Sequence, residues 1–286
     1  MTDKIPDYGD WIGRTEHAQD DITAQAVAAM SATLNRDDPL PRNGDPLPPL
    51  WHWMYFTPKV RAHGLGADGH EDRGNFMPPV TLPRRMFAGA SYRFLTPLRV
   101  GETVIRKSEI LDIAGKQGRS GPLLFVKVGY DYSMGDDVAL EEIQEFVFRD
   151  AAGTPDTRAP EPLSIDSATW RRTVLADPVT LFRYSALTFN GHRIHYDHPY
   201  ATTVEGYPDL VVHGPLIASY LVDLCRVNTD DRPFSSFFFR AKRPLFANLP
   251  FDIVGGLTDG GGGFWLKAIG PDGAEAMAAG GAFTDG

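Results

Sequence analysis

The sequence predicts an α+β chain made of two copies of one β-rich unit, each wrapped around a helix. Three observations carry this. Strand-like segments fill residues 86–148 and again 234–283, with alternating apolar positions between turns that hold glycine or proline. Between them, His213-Gly214-Pro215 opens a run with Leu216, Ile217, Tyr220, Leu221 and Leu224 on one face and Ala218 and Val222 on another. A helix apolar almost all round is a buried helix. Finally, Arg93-Phe94-Leu95-Thr96-Pro97-Leu98 is echoed by Arg240-Ala241-Lys242-Arg243-Pro244-Leu245, with arginine, proline and leucine in register.

Taken in order, residues 15–34 read as the first helix. Asp20 and Asp21 stand near its start, and Ile22, Ala26, Ala29, Met30 and Thr33 follow at helical spacing. A proline-bearing loop follows, and the aromatic stretch 50–56 reads as a short strand. Residues 57–85, rich in Gly, Pro, His and Arg, read as a flexible loop. Within it Gly64-Leu65-Gly66-Ala67-Asp68-Gly69 spells the dinucleotide fingerprint, but no helical pattern follows it, so the motif carries nothing.

Strands are expected at 86–95, 102–113, 123–132 and 141–149, with a hairpin turn over 116–121. Residues 151–165 hold three prolines and little apolar mass. They read as the boundary between a unit at 1–150 and a second at 166–286. In the second unit, strands are expected at 234–241, 251–257, 264–269 and 274–283. The glycine run 260–263 lacks a following lysine and helix, so it reads as a hairpin tip.

Composition narrows the function. The chain has 286 residues with 28 basic against 37 acidic, a net charge of −9, which argues against a nucleic-acid surface. No apolar stretch reaches the roughly eighteen residues of a membrane span, and the polar N-terminus is unlike a targeting peptide. A cytoplasmic location is the expectation. The lone Cys225 reads as a small core residue.

The chemistry gathers in the polar loop Asn190-Gly191-His192-Arg193-Ile194-His195 and in the helix start about twenty residues later. A histidine exchanges protons near neutral pH. A helix N-terminus offers unpaired N–H groups and the positive end of the helix dipole, a place for a developing oxyanion. On residue chemistry alone, His195 is equally a capping or surface side chain. His192, His195 and His198 imitate a metal cluster, but Pro199 breaks any helix and no cysteine pair is near, so no metal is expected.

The segments YSALTFNGHRIHYDHPYA and VVHGPLIASYLVDL resemble the signature of the MaoC-like (R)-specific enoyl-thioester hydratases. LPPLWHWMYF and the segment from Arg93 to Leu98 resemble the two-domain hydroxyacyl-thioester dehydratase type 2 subgroup, relatives of mesaconyl-CoA and itaconyl-CoA hydratases. The resemblance implies a double hot-dog, antiparallel sheet wrapped around a central helix in each unit. It implies reversible hydration of an enoyl-CoA to a 3-hydroxyacyl-CoA, with small branched dicarboxylic acyl groups such as mesaconyl-C4-CoA first.

By the same resemblance His195 matches the catalytic histidine and Gly214 the oxyanion-hole glycine. Asn190 stands where most relatives carry an aspartate, so it positions water and does not take the proton. The second unit carries the chemistry, and the first shapes the acyl tunnel or supports the fold. Tyr184 and His213 are candidate substrate contacts, and Arg93, Arg240, Lys242 and Arg243 are candidates for the phosphates of coenzyme A, which an exposed strand end explains equally. No cofactor is expected beyond coenzyme A in the substrate, and the family implies a homodimer. A 3-hydroxyacyl-carrier-protein dehydratase, a thioesterase and a non-catalytic thioester binder are the alternatives.

Overall fold

The computed structural model describes residues 6–118, 121–150, 165 and 167–284. One ten-stranded antiparallel sheet organises it, in the order β1-β3-β4-β5-β2-β7-β10-β9-β8-β6. The first half supplies β1 (Thr15–Asp21), β2 (Arg84–Phe94), β3 (Thr103–Gly118), β4 (Gly121–Met134) and β5 (Asp137–Arg149). The second supplies β6 (Trp170–Val174), β7 (Phe234–Ala241), β8 (Phe251–Leu257), β9 (Gly263–Ile269) and β10 (Glu275–Phe283).

Read outward from the centre, the two halves repeat one order, so β2 and β7 are equivalent strands. They pair with each other, Gly89 opposite Arg240 and Arg93 opposite Ser236. The echoed segments begin at the C-terminal ends of these two strands, at Arg93 and Arg240. The apolar positions that follow each echoed proline, Val104 on β3 and Phe251 on β8, are both buried. The expected boundary at 151–165 falls, but for Ile165, outside the described residues.

The halves fill their concave faces differently. In the second, α3 (Gly214–Asn228) lies along β8, β9, β6 and β10, and its residues from Leu216 to Cys225 are all buried. Its one buried acid, Asp223, is held by Arg36 on one oxygen and by Arg172 on the other. The first half carries α1 (Ala24–Thr33), which lies against α2 (Pro178–Leu187). Among the described residues no helix is long and apolar enough to cross a membrane.

Two expectations are corrected here. Residues 15–21 form strand β1 and not the first turns of a helix, which begins only at Ala24. β1 is an edge strand paired to β3 alone, and its polar side chains alternate between exposed and half-buried. Polar edges discourage further strand pairing, but they also hide the apolar alternation by which a strand is read. The stretch 50–56 is likewise no strand. Leu50 takes a left-handed φ of 70° and Trp51–Met54 coil into a 3₁₀ turn. Its aromatic residues are there to fill the core, and Trp51 is 1% exposed.

The hairpin 116–121 is longer than expected, since β3 runs to Gly118 and β4 starts at Gly121. Strand β6 and helix α2 were not expected. The helix has a readable start, because Asp177 accepts the Thr180 N–H at 2.7 Å and Pro178 opens the first turn.

Candidate active site

Helix α2 ends at Leu187, and Phe189 then turns the chain with a φ of 49°. The Asn190 N–H returns to Ser185 O at 2.8 Å, and the Asn190 side-chain oxygen accepts the His192 N–H at 3.0 Å. These bonds fold the loop so that His195 closes a one-turn 3₁₀ segment and is buried. Its Nδ1 lies 2.7 Å from Val211 O. A carbonyl only accepts, so Nδ1 carries the proton and Nε2 presents a lone pair.

His213, the residue before α3, stacks on the His195 ring at 3.6 Å between centroids. Its Nε2 is 2.8 Å from Ser185 Oγ, and its Nδ1 is buried without a hydrogen-bond partner. Tyr184 packs beside it, with ring centroids 5.0 Å apart. The Tyr184 hydroxyl is buried beside Ser219, whose own hydroxyl donates to Pro215 O. Gly214 begins α3, and its N–H meets no protein acceptor among the described residues. A Cβ added there would meet nothing within 4 Å, so the helix start opens onto free space.

The expectation of a flexible loop over 57–85 is corrected, because the loop is docked on the histidine loop. Asp68 O accepts the Arg193 N–H at 2.9 Å and Ala67 O accepts Arg193 Nη1 at 3.0 Å. Gly69, at a φ of +88°, passes so near Gly191 that a Cβ would sit 2.0 Å from the Gly191 oxygen. Only glycine tolerates both the angle and the approach. The docking brings His70, held by Asp68 at 3.2 Å, to 4.2 Å from the His192 ring. His192 in turn lies 5.4 Å from His195. A row of imidazoles thus runs from the first half of the chain to the start of α3.

Burial, and then neighbouring imidazoles, keeps these rings neutral. Burial and the His192 ring lower His195 to about 3, against the bond to Val211 O that raises it. Burial also lowers His192 to about 3, and holds His213 well below the usual range. The unfolded chain therefore binds protons below about pH 6.5 that the folded chain refuses, so stability falls as the pH drops from there toward 3. Each such histidine adds up to about 1.4 kcal/mol per pH unit. Melting temperatures measured between pH 8 and pH 5 should be flat above this onset and fall below it. A melting temperature constant across that range would contradict neutral burial.

The other expected residues are placed elsewhere. Arg93 alternates with buried Tyr92, and Arg240 with buried Phe239, so both stand on the opposite face of the sheet from the core. They pair with Glu141 and Glu145. Arg243 pairs with Asp272, and Lys242 with Glu275. None of the four is brought to His195. His198 is exposed and nearest Asp209 at 3.7 Å, which dissolves the His192, His195 and His198 trio. The structure instead gathers donor atoms of Asp68, His70 and His192 within 4.8 Å of one another. Arg85 lines the same cleft as Asp68 and His192, and its positive charge opposes a cation there.

The chain is 50% identical over 278 residues to the mesaconyl-C(4)-CoA hydratase of Chloroflexus aurantiacus, covering 96% of each. It is 26% identical to the mitochondrial hydroxyacyl-thioester dehydratase type 2 of Schizosaccharomyces pombe, over 79% of this chain and 82% of that one. Among solved structures, HtdX of Mycobacterium tuberculosis superposes with a TM-score of 0.67 at 19% identity, over 93% of this chain and 98% of that one. A second M. tuberculosis protein, described as a double hotdog, does so at 0.62 and 12%, over 95% and 96%. These last two establish the fold, a double hot-dog. Residues 50–247 match the family described as hydroxyacyl-thioester dehydratase type 2, and the chain belongs to that family.

Proposed function

We propose that the protein is a hydro-lyase that reversibly adds water across the double bond of an enoyl-CoA, giving a 3-hydroxyacyl-CoA. Its best substrate in this reading is a small branched dicarboxylic thioester, mesaconyl-C4-CoA or itaconyl-CoA. The observation that carries the class is the His195 ring. It is neutral, has one nitrogen committed to Val211 O, and lies against His213, whose next residue opens α3. The substrate class is supported by the 50% identity to a mesaconyl-C(4)-CoA hydratase.

The reaction runs as follows. His195 Nε2 takes a proton from water as the water oxygen bonds to the β-carbon. The π electrons of the double bond move toward the thioester, and its oxygen gains negative charge. The Gly214 N–H, at the positive end of α3, donates to that oxygen. The imidazolium then returns its proton to the α-carbon, which balances atoms and charge without any redox partner. Asn190 uses its oxygen to hold the His192 N–H, which leaves its NH₂ to donate to the attacking water. The loop docked at Gly69 helps keep bulk water off the charged intermediate.

Gly214→Ala tests the oxyanion role. The added Cβ meets no protein atom within 4 Å, so the melting temperature should not change. The same methyl group occupies the space a thioester must enter, and kcat/KM should fall about 10- to 100-fold. Wild-type kinetics in this variant would remove Gly214 from the site.

The reading as a whole is tested by incubating purified protein with crotonyl-, mesaconyl-C4- and itaconyl-CoA and following loss of the conjugated double bond. Hydration is expected, fastest with a dicarboxylic thioester. Release of free thiol instead would mark a thioesterase. Binding without turnover on any of them would move the substrate to a carrier-protein thioester or leave a binding protein.

A further inference from the structure

We propose that Arg85 selects for a dicarboxylic acyl group by holding the free carboxylate of the thioester substrate. This rests on the hydratase reading above and names the residue that sets its substrate class.

Arg85 is the second residue of β2. Two residues apart on one strand, Arg85 and Phe87 share a side, and Phe87 packs on the core. Its guanidinium lies over the Phe146 ring at 4.4 Å. With Asp68, Ile194 and His192 it lines one small cleft. Among the described residues it makes no hydrogen bond and no ion pair.

Its neighbours are all engaged. Asp68 is taken by His70, and Glu71 by Asn75. Arg84, beside it, pairs with Glu205, and Arg73 is spent on the carbonyls of Val80, Leu82 and Pro83. The Arg85 guanidinium is half-buried on an aromatic ring, with no carboxylate among the described residues bonded to it. It also offers a planar fork of donors that fits a carboxylate in two bonds. Asp68 and Glu205 line the same cleft but are held by His70 and Arg84, so what Arg85 lacks is a carboxylate of its own.

The position fits the chemistry of the substrate. In a mesaconyl-C4 thioester the free carboxylate is borne by the same carbon that receives the hydroxyl group. That carbon must lie beside His195. Arg85 shares its cleft with His192, whose ring is 5.4 Å from His195. The phosphates of coenzyme A are a whole pantetheine arm away from the thioester and belong to the other end of the site. A phosphate contact would also serve every CoA thioester equally, and so leaves a different kinetic trace.

The test compares kcat/KM for mesaconyl-C4-CoA and crotonyl-CoA in the wild type, Arg85→Gln and Arg85→Lys, with melting curves to check folding. The ratio of the two constants should fall about 100-fold in Arg85→Gln, the worth of a charge-assisted bond, and recover in part in Arg85→Lys. Equal losses on both substrates would overturn the proposal, because packing or a phosphate contact would then be the role. An unchanged ratio would overturn it as well. A wild type that hydrates crotonyl-CoA but not the dicarboxylic thioester would overturn the role of Arg85 and leave the hydratase class standing. A wild type that hydrates neither would remove the functional reading and the proposal together.

Discussion

His195→Gln should lower kcat about 10³-fold, the usual worth of one positioned general base, while the melting temperature stays near that of the wild type. Glutamine has nearly the volume of histidine, and its amide NH₂ can keep the bond to Val211 O, so the loop has no reason to unfold. What it lacks is a nitrogen lone pair that can take a proton. The neighbouring rings cannot supply one in its place. His213 has Nε2 tied to Ser185 and an Nδ1 sealed from solvent, and the His192 ring is 5.4 Å away. Since burial holds His195 far below the ordinary histidine range, the base is already neutral at pH 7. The acid limb of the wild-type profile should accordingly lie below that range. A variant retaining a third or more of wild-type kcat would sink the role of His195 and turn attention to His192.

Much of this site can be read in the sequence because its chemistry is local. Asn190, His195 and the His213-Gly214 helix start lie within one stretch, and the bonds that fold them, Asn190 to Ser185 and His195 to Val211, also close inside it. Strands at 234–241 and 251–257 are legible to the residue, since each has a buried face in a simple meander. The first half of the chain is harder. Its contribution to the site, Asp68, His70 and Arg85, is non-local, and nothing in the spacing of Gly64 to Gly74 says that Gly69 will meet Gly191. A loop dense in glycine and histidine reads as mobile until the surface it docks on is known. The surface arginines are a different case. Arg93 and Arg240 repeat because β2 and β7 repeat, so the echo by itself reports the fold.

The first half has its own histidine and carboxylate, and Glu142→Gln separates support from catalysis. Glu142 is 1% exposed and accepts bonds from Trp53, Tyr92, Tyr132 and Gln144, with His52 Nε2 at 3.1 Å. Burial alone would raise its pKa, but the His52 ring and the surrounding donors outweigh burial and hold it at about 2. This carboxylate is saturated. Five donors converge on its two oxygens, so it has no lone pair left for a substrate. Glutamine turns one acceptor into an NH₂ that faces other donors. The expected loss is about 3–5 kcal/mol, as for a broken buried ion pair, or roughly 10 °C in melting temperature. Because the folded pKa is depressed, the carboxylate's stabilisation is fully present above the unfolded value of 4.5 and fades as the pH falls toward 2. Destabilisation by Glu142→Gln should therefore shrink in acid. Turnover measured well below the melting transition should match the wild type, since none of the network's hydrogen bonds among the described residues reaches Asn190, His195 or His213. A loss of kcat in fully folded Glu142→Gln protein would instead place the first half in the chemistry.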